Sequence, residues 1–266
     1  NAGIGLVEAS GGRPKEEWLA LLQSTQAQIK DARERIVTIK RLLTWYPKAE
    51  YWLALANAYG QQNQMPDYLA TLSLAQQKGL LTTEPQYVSL ASVFYEQDVP
   101  LRAAHILETG LRKNIIAANA KNLRFLASCY SQAQEHEKAL GPLRQAAAQT
   151  KNGETDAQLG HAHFQLAQWK EAAAAFEAAI DKGDFKQVTT SWLLLGQSYL
   201  NLHQFELARA AFRQASLDET YAKQAAQWLQ YADYEKNRYE QLGLLKSAAP
   251  ANAESHRSSP REDSES

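Results

Sequence analysis

The chain has 266 residues, 28 Lys plus Arg against 29 Asp plus Glu, a net charge of −1 and one cysteine. That balance argues against the basic face needed for non-specific nucleic-acid binding, and a lone Cys129 excludes a disulfide within the chain. No apolar run reaches the roughly 18 residues of a membrane span, and no stretch alternates with period two between Gly or Pro turns, so a chain this rich in Ala, Leu and Gln reads as helical throughout.

In chain order, residues 1–13 are glycine-rich with weak apolar content and read as a flexible linker. The start at Asn1 rather than Met reads as a processed or truncated product, so the sequence is silent about any signal peptide, lipid-anchored cysteine or membrane helix. Pro14, followed by Glu16 and Glu17, suits a helix start, and the first helix is expected over Trp18 to Lys30. A stripe of Ala32, Ile36, Ile39 and Leu43 marks a second helix, ending before Pro47. Cys129 falls inside a later helix and reads as a small buried residue.

From residue 48 to 217 one pattern recurs. It is plainest at Trp192, Leu195, Gly196 and Tyr199, followed by Ala208, Phe212 and Ala215. Two amphipathic helices joined by a short polar turn explain it: the large residues fill the space between them, and Gly196 and Ala208 are small because the helices cross there. Upstream copies follow the same order. They are Trp52, Leu55, Ala56, Tyr59 with Leu72 and Ala75; Tyr87, Leu90, Ala91, Phe94 with Ala103, Leu107 and Gly110; and Leu123, Leu126, Ala127, Tyr130 with Ala139, Leu143 and Ala146. The next has Asp156, Leu159, Gly160 and His163 with Ala172, Phe176 and Ala179. Tyr68 breaks the rule by standing where a small residue belongs. The anchors 52, 87, 123, 156 and 192 lie 35, 36, 33 and 36 residues apart, and the ladder extends to Trp228 downstream and Trp18 upstream.

W-x2-L-G-x2-Y with A-x3-F at a period of about 34 resembles the tetratricopeptide repeat. The resemblance implies an all-α, right-handed α-solenoid of about five helical hairpins, because one hairpin cannot bury its apolar face alone. A degenerate hairpin is expected before the repeats. After them, residues 218–243, with Ala225, Trp228, Leu229, Tyr231 and Ala232 among many charges, suit a C-terminal capping helix. The repeat domain is expected over 14–246, with a disordered tail over 247–266, which lacks any large apolar residue.

Catalytic and metal signatures are missing: there is no HExxH, CxxC, P-loop or GxGxxG. His161 and His163 are two apart on a helix and face different sides. His163 reads as packed and His161 as facing a groove. Glu135, His136 and Glu137 read as a solvated turn. The expectation is therefore a protein that is not an enzyme, with no metal and no cofactor.

Function is then expected on the concave surface of the first helices. Its exposed positions are Asn57 and Gln61, then Ser92 and Glu96, then Lys121, Arg124, Ser128 and Gln132. His161 and Gln165 follow, and last Gln197 and Asn201. This lining is rich in amides that can hydrogen-bond an extended peptide, and Lys121 with Arg124 is a basic spot suited to a carboxylate. Chaperone-binding repeats clamp a C-terminal carboxylate with a Lys/Asn/Asn/Lys/Arg set. Asn57 and Lys121 match two of the five places, while Leu53, Ser89 and Phe125 depart.

A closer likeness is carried by Tyr51-Trp52-Leu53-Ala54-Leu55-Ala56-Asn57-Ala58-Tyr59, Gln77-Lys78-Gly79-Leu80-Leu81-Thr82, Val99-Pro100-Leu101-Arg102-Ala103-Ala104, Leu107-Glu108-Thr109-Gly110-Leu111 and Asn119-Ala120-Lys121-Asn122-Leu123. These stretches resemble the repeat proteins associated with TonB–ExbB–ExbD-type energy-transducing systems of Gram-negative bacteria. That resemblance implies a periplasmic or envelope-associated accessory protein of a TonB-type transport system, with a protein or extended-peptide partner. The alternative is an assembly factor or chaperone adaptor that recognises client peptides, with a cytoplasmic location as the other compartment. Removing residues 247–266 is expected to move the melting temperature by less than about 2 °C, as for other surface changes. Circular-dichroism melting checks it, and a larger drop would mean that the tail packs.

Overall fold

A computed structural model describes residues 2–244, and the expected tail over 247–266 lies outside them. Among the described residues there are fourteen helices and no strand. The fold is an all-α arrangement of repeat hairpins. The chain falls into two compact units, one up to Lys151 and one from Asn152.

The first unit opens with a departure from the sequence reading. Residues expected to be a linker form α1 (Ala2–Ala9), despite Gly3 and Gly5. Ile4 is only 6% exposed and joins the core made with Leu19, Ile36, Ile39, Leu42, Tyr51 and Leu55. Arg41 Nε adds a hydrogen bond to Glu8 Oε1 at 3.0 Å. Burial of one isoleucine and this contact outweigh the poor helix propensity of two glycines.

The hairpin α2 (Glu16–Gln28) and α3 (Ala32–Trp45) follows. Trp18, the upstream rung of the ladder, is 43% exposed, and its neighbour Leu19 is fully buried in its stead. Likewise Leu42 is buried while Leu43 is half-buried. Three regular hairpins complete the unit: α4 (Ala49–Gln61) with α5 (Met65–Gln77), α6 (Glu84–Glu96) with α7 (Pro100–Arg112), and α8 (Ala120–Gln132) with α9 (His136–Ala147). The expected small residues Ala56, Ala91, Ala103, Ala127 and Ala139 have no exposed surface. Where Tyr68 breaks the pattern, its ring faces Gly60 on the opposite helix. A Cβ on Gly60 would lie 3.5 Å from the Tyr68 ring, an ordinary contact distance. Cys129 is fully buried, and burial pushes its thiol pKa up to about 12.

The second unit holds α10 (Glu154–Gln165) with α11 (Trp169–Lys182), α12 (Val188–Asn201) with α13 (Phe205–Ala215), and α14 (Ala222–Gln241). Its core runs through Phe176, Leu193, Leu195, Tyr199, Ala208, Phe212 and Ala225. A Cβ on Gly196 would stand 2.5 Å from the Phe212 ring, and one on Gly160 2.7 Å from Phe176. Asp156, in the tryptophan place, is buried and paired with Lys182 at 2.7 Å. His163, in the tyrosine place, is buried as expected and bonded to Gln168 Oε1 at 2.6 Å. Trp192, expected to be packed between helices, is only partly buried against the core.

Within the hairpins, the turn from first to second helix is always made the same way. Lys30, Asn63, Asp98, Gln134, Ala167 and His203 have φ between 54° and 61°. The very next residue then donates back: the N–H groups of Gln64, Val99, Glu135, Gln168 and Gln204 reach the carbonyls of Tyr59, Phe94, Tyr130, His163 and Tyr199 at 2.9–3.0 Å. This is the Schellman closure, and none of these residues is the glycine that usually occupies it. No helix among the described residues is long and apolar enough to cross a membrane.

Two substitutions should move stability in opposite directions. Gly196→Ala forces a methyl into the Phe212 ring and is expected to cost about 1–3 kcal/mol. Ala167→Gly relieves a left-handed backbone and is expected to gain up to about 1 kcal/mol. Urea unfolding of the two variants beside the native chain measures both signs.

Candidate functional site

The first helices of each unit carry the expected binding residues. In the first unit Asn57, Gln61, Glu96, Lys121 and Gln132 are exposed, and Ser92, Arg124 and Ser128 are half-buried. Two of the amides are engaged across repeats. Gln61 Oε1 accepts from Arg35 at 3.5 Å, and Gln132 Nε2 donates to Asp98 at 2.9 Å. The helix-end amides therefore also tie a hairpin to the one before it, a role the sequence reading did not assign.

The basic spot expected at Lys121 and Arg124 has an acidic neighbour. Glu84, at the start of α6, accepts from the Ala117 N–H at 2.8 Å and from Asn122 Nδ2 at 3.0 Å. Those two hydrogen bonds, helped by the charge of Lys121, hold the Glu84 carboxyl below the usual range. Asn122 itself is buried and also donates to the Ala117 carbonyl at 2.9 Å. A carboxylate arriving at Lys121 would share that cation with Glu84, which weakens the anion-receiving role expected there.

In the second unit His161 and Gln165 are exposed one turn apart on α10, with their side-chain nitrogens 3.3 Å apart. His161 borders a cavity of about 190 Å³, whose lining includes Ala157, Phe176, Ser191 and Leu194. Gln197 and Asn201 border a second cavity of about 300 Å³ with His203, Phe205, Trp228, Tyr231 and Glu235. The structure thus joins two expected residues on α12 to aromatic residues that sequence reasoning had assigned to a cap. The ladder position of Trp228 was the available signal. The helical stripe pointed Trp228 inward, where it stacks on Phe212 with centroids 5.8 Å apart and planes 13° apart. Tyr231, however, stands edge-on to Trp228 and remains 49% exposed.

The chemistry on offer is hydrogen bonding by amides, aromatic contact and single charges. Among the described residues no group of three or more His, Cys, Asp or Glu is placed to hold a metal ion.

The fold has counterparts in known proteins. The family model for the tetratricopeptide repeat matches residues 189–216, which are most of α12 and all of α13. The solved structure of MamA aligns with a TM-score of 0.52 at 14% identity, over 66% of this chain and 94% of that one. YrrB, described as a TPR protein with an unusual peptide-binding site, aligns with a TM-score of 0.51 at 18% identity, over 66% of this chain and 90% of its own. The chain spans 46% of a matched chain in the APC/C hetero-tetramer Cut9–Hcn1, at 15% identity over 82% of its own length and a TM-score of 0.45. No curated protein matches the sequence. The hairpins have the tetratricopeptide-repeat fold, and the one formed by α12 and α13 carries the repeat's sequence signature.

Because the folded pKa of Glu84 is depressed, the stability it contributes is complete above its unfolded value of about 4.3 and is lost as pH falls through the folded value. Glu84→Gln is therefore expected to lower stability at neutral pH and to flatten its loss in acid, below about pH 4.5. Urea midpoints measured across that range test it. A variant that keeps the native acid slope would show that the Ala117 and Asn122 contacts do not hold the carboxylate.

Proposed function

We propose that the protein is a non-catalytic interaction scaffold that holds an extended segment of a protein partner against the faces of its first helices. The observation that carries this reading is the pair of cavities in the second unit, one bordered by His161 and the other by Gln197 and Asn201. Each combines apolar floor with amide or imidazole edges, which suits alternating side chains of an extended strand and leaves hydrogen-bonding groups for its backbone. The exposed Asn57, Ser92 and Lys121 offer similar groups in the first unit. The peptide-binding site named for YrrB supports the same kind of ligand by analogy of fold.

For the partner we propose a component of a TonB-type transport system in a bacterial envelope. The support is the resemblance of the segments around Gly79, Pro100 and Lys121 to the repeat proteins of such systems. Gly79, at φ +70° after α5, and Pro100, at the first position of α7, give those segments a structural reason, since each fixes a turn.

Affinity capture from envelope extract tests both levels. The native chain is expected to retain a TonB-system component, and His161→Arg with Gln197→Arg is expected to reduce the yield at least about tenfold, as for loss of about 1.4 kcal/mol. Equal capture by native and variant chains would move the contact off these faces. Capture of unrelated unfolded clients, with no transport component, would favour the adaptor role.

A further inference from the structure

We propose that the cavity between α12 and α14 is an arginine pocket, which reads one arginine side chain of the bound segment. This rests on the extended-peptide reading above and deepens it. The cavity, about 300 Å³, is lined on one side by Gln197 and Asn201, on another by Trp228, Tyr231 and Glu235, and closed below by His203 and Phe205.

Its aromatic wall is fixed. Trp228 is stacked on Phe212, and His203 packs on Tyr239 with centroids 4.6 Å apart. Tyr239 in turn meets Phe205 at 5.3 Å. Tyr231, held edge-on against Trp228 and half exposed, keeps ring surface open for a cation. Around that surface the polar groups accept. The Asn201 amide donates to the Gln197 backbone carbonyl at 2.8 Å, which turns its nitrogen to the helix and leaves Oδ1 as an acceptor. The Glu235 side chain is only 14% exposed.

These features select among side chains. An apolar group would strip water from Asn201 and Glu235 with nothing in return. An acidic group would meet Glu235. A planar guanidinium can lie on an aromatic face while its fork of donors reaches a carboxylate and an amide oxygen, which the tetrahedral ammonium of lysine matches less well. Arg238 is the arginine that a pocket ligand has to displace from Glu235. Its guanidinium lies 3.1 Å from Glu235 Oε2 and 3.2 Å from Oε1, but its side chain is 54% exposed. Such an exposed pair is weak, so an incoming arginine competes for the carboxylate.

The test is selection of a phage-displayed library of random octapeptides on the full chain. It is paired with titration of N-acetylarginine methylamide and its neutral citrulline analogue, followed by NMR at the Trp228 indole N–H. Peptides with a fixed arginine are expected, with binding weakened about tenfold when citrulline replaces it. Glu235→Gln and Tyr231→Ala are expected to erase the arginine preference, and Arg238→Ala to strengthen it. Both pocket side chains lie on the face of α14, and circular dichroism confirms that the variants fold. Selected peptides that depend on His161 and Gln197 but show no arginine position would overturn the pocket and leave the groove reading intact. If no peptide is selected, the groove reading fails and the titration decides the pocket alone. A shift of the Trp228 signal with arginine and not citrulline upholds it, and equal responses overturn it.

Discussion

The approach of Gly196 to the Phe212 ring is the constraint on which the rest of the second unit depends. With no Cβ on one helix, the aromatic ring of the other can sit against the backbone, and the hairpin closes around it. Gly160 and Phe176 repeat that contact one hairpin earlier. Elsewhere alanine suffices because leucine takes the place of phenylalanine, as with Ala127 and Leu143. The size of one residue therefore sets the size of its partner across the crossing.

This exchange also explains how the repeat tolerates unusual residues at its anchors. Asp156 replaces a tryptophan, and its carboxylate stays buried because Lys182 reaches it from the end of the paired helix. His163 replaces a tyrosine and finds Gln168 at the next helix start. Both substitutions keep the hairpin by supplying a polar partner in place of apolar contact, which a buried polar group requires. A first helix held this way offers its outer face without needing to change shape. That is the property a scaffold for an extended segment needs, because ordering cost is met in folding and not in binding.

The faces are not interchangeable. In the first unit the helix-end amides Gln61 and Gln132 are partly used to join hairpins, and Lys121 has Glu84 for company. In the second unit the faces open onto cavities with aromatic and amide walls. The recognition role proposed above draws on the second unit because that is where those cavities lie.

The sequence by itself determined the helical class, the hairpin boundaries to within a few residues, and the ladder of small and large positions, because close packing at a crossing restricts residue size at fixed spacing. The same ladder placed Asn201 and Gln197 on a first helix and Trp228 one rung further. It could not show that α1 forms, since Ile4 is held by Leu19 and Ile36, which lie far along the chain. Nor could it show the left-handed turns at residues as different as Lys30, Ala167 and His203, because hairpin closure imposes that backbone whatever the side chain. Trp18 and Leu19 were one residue apart in a pattern, and only packing against neighbouring helices chose between them. The tertiary structure alone decided that Tyr231 and Glu235 face the amides of α12. Helical periodicity says which residues share a side of one helix, while a binding cavity is made by the distance and angle between two.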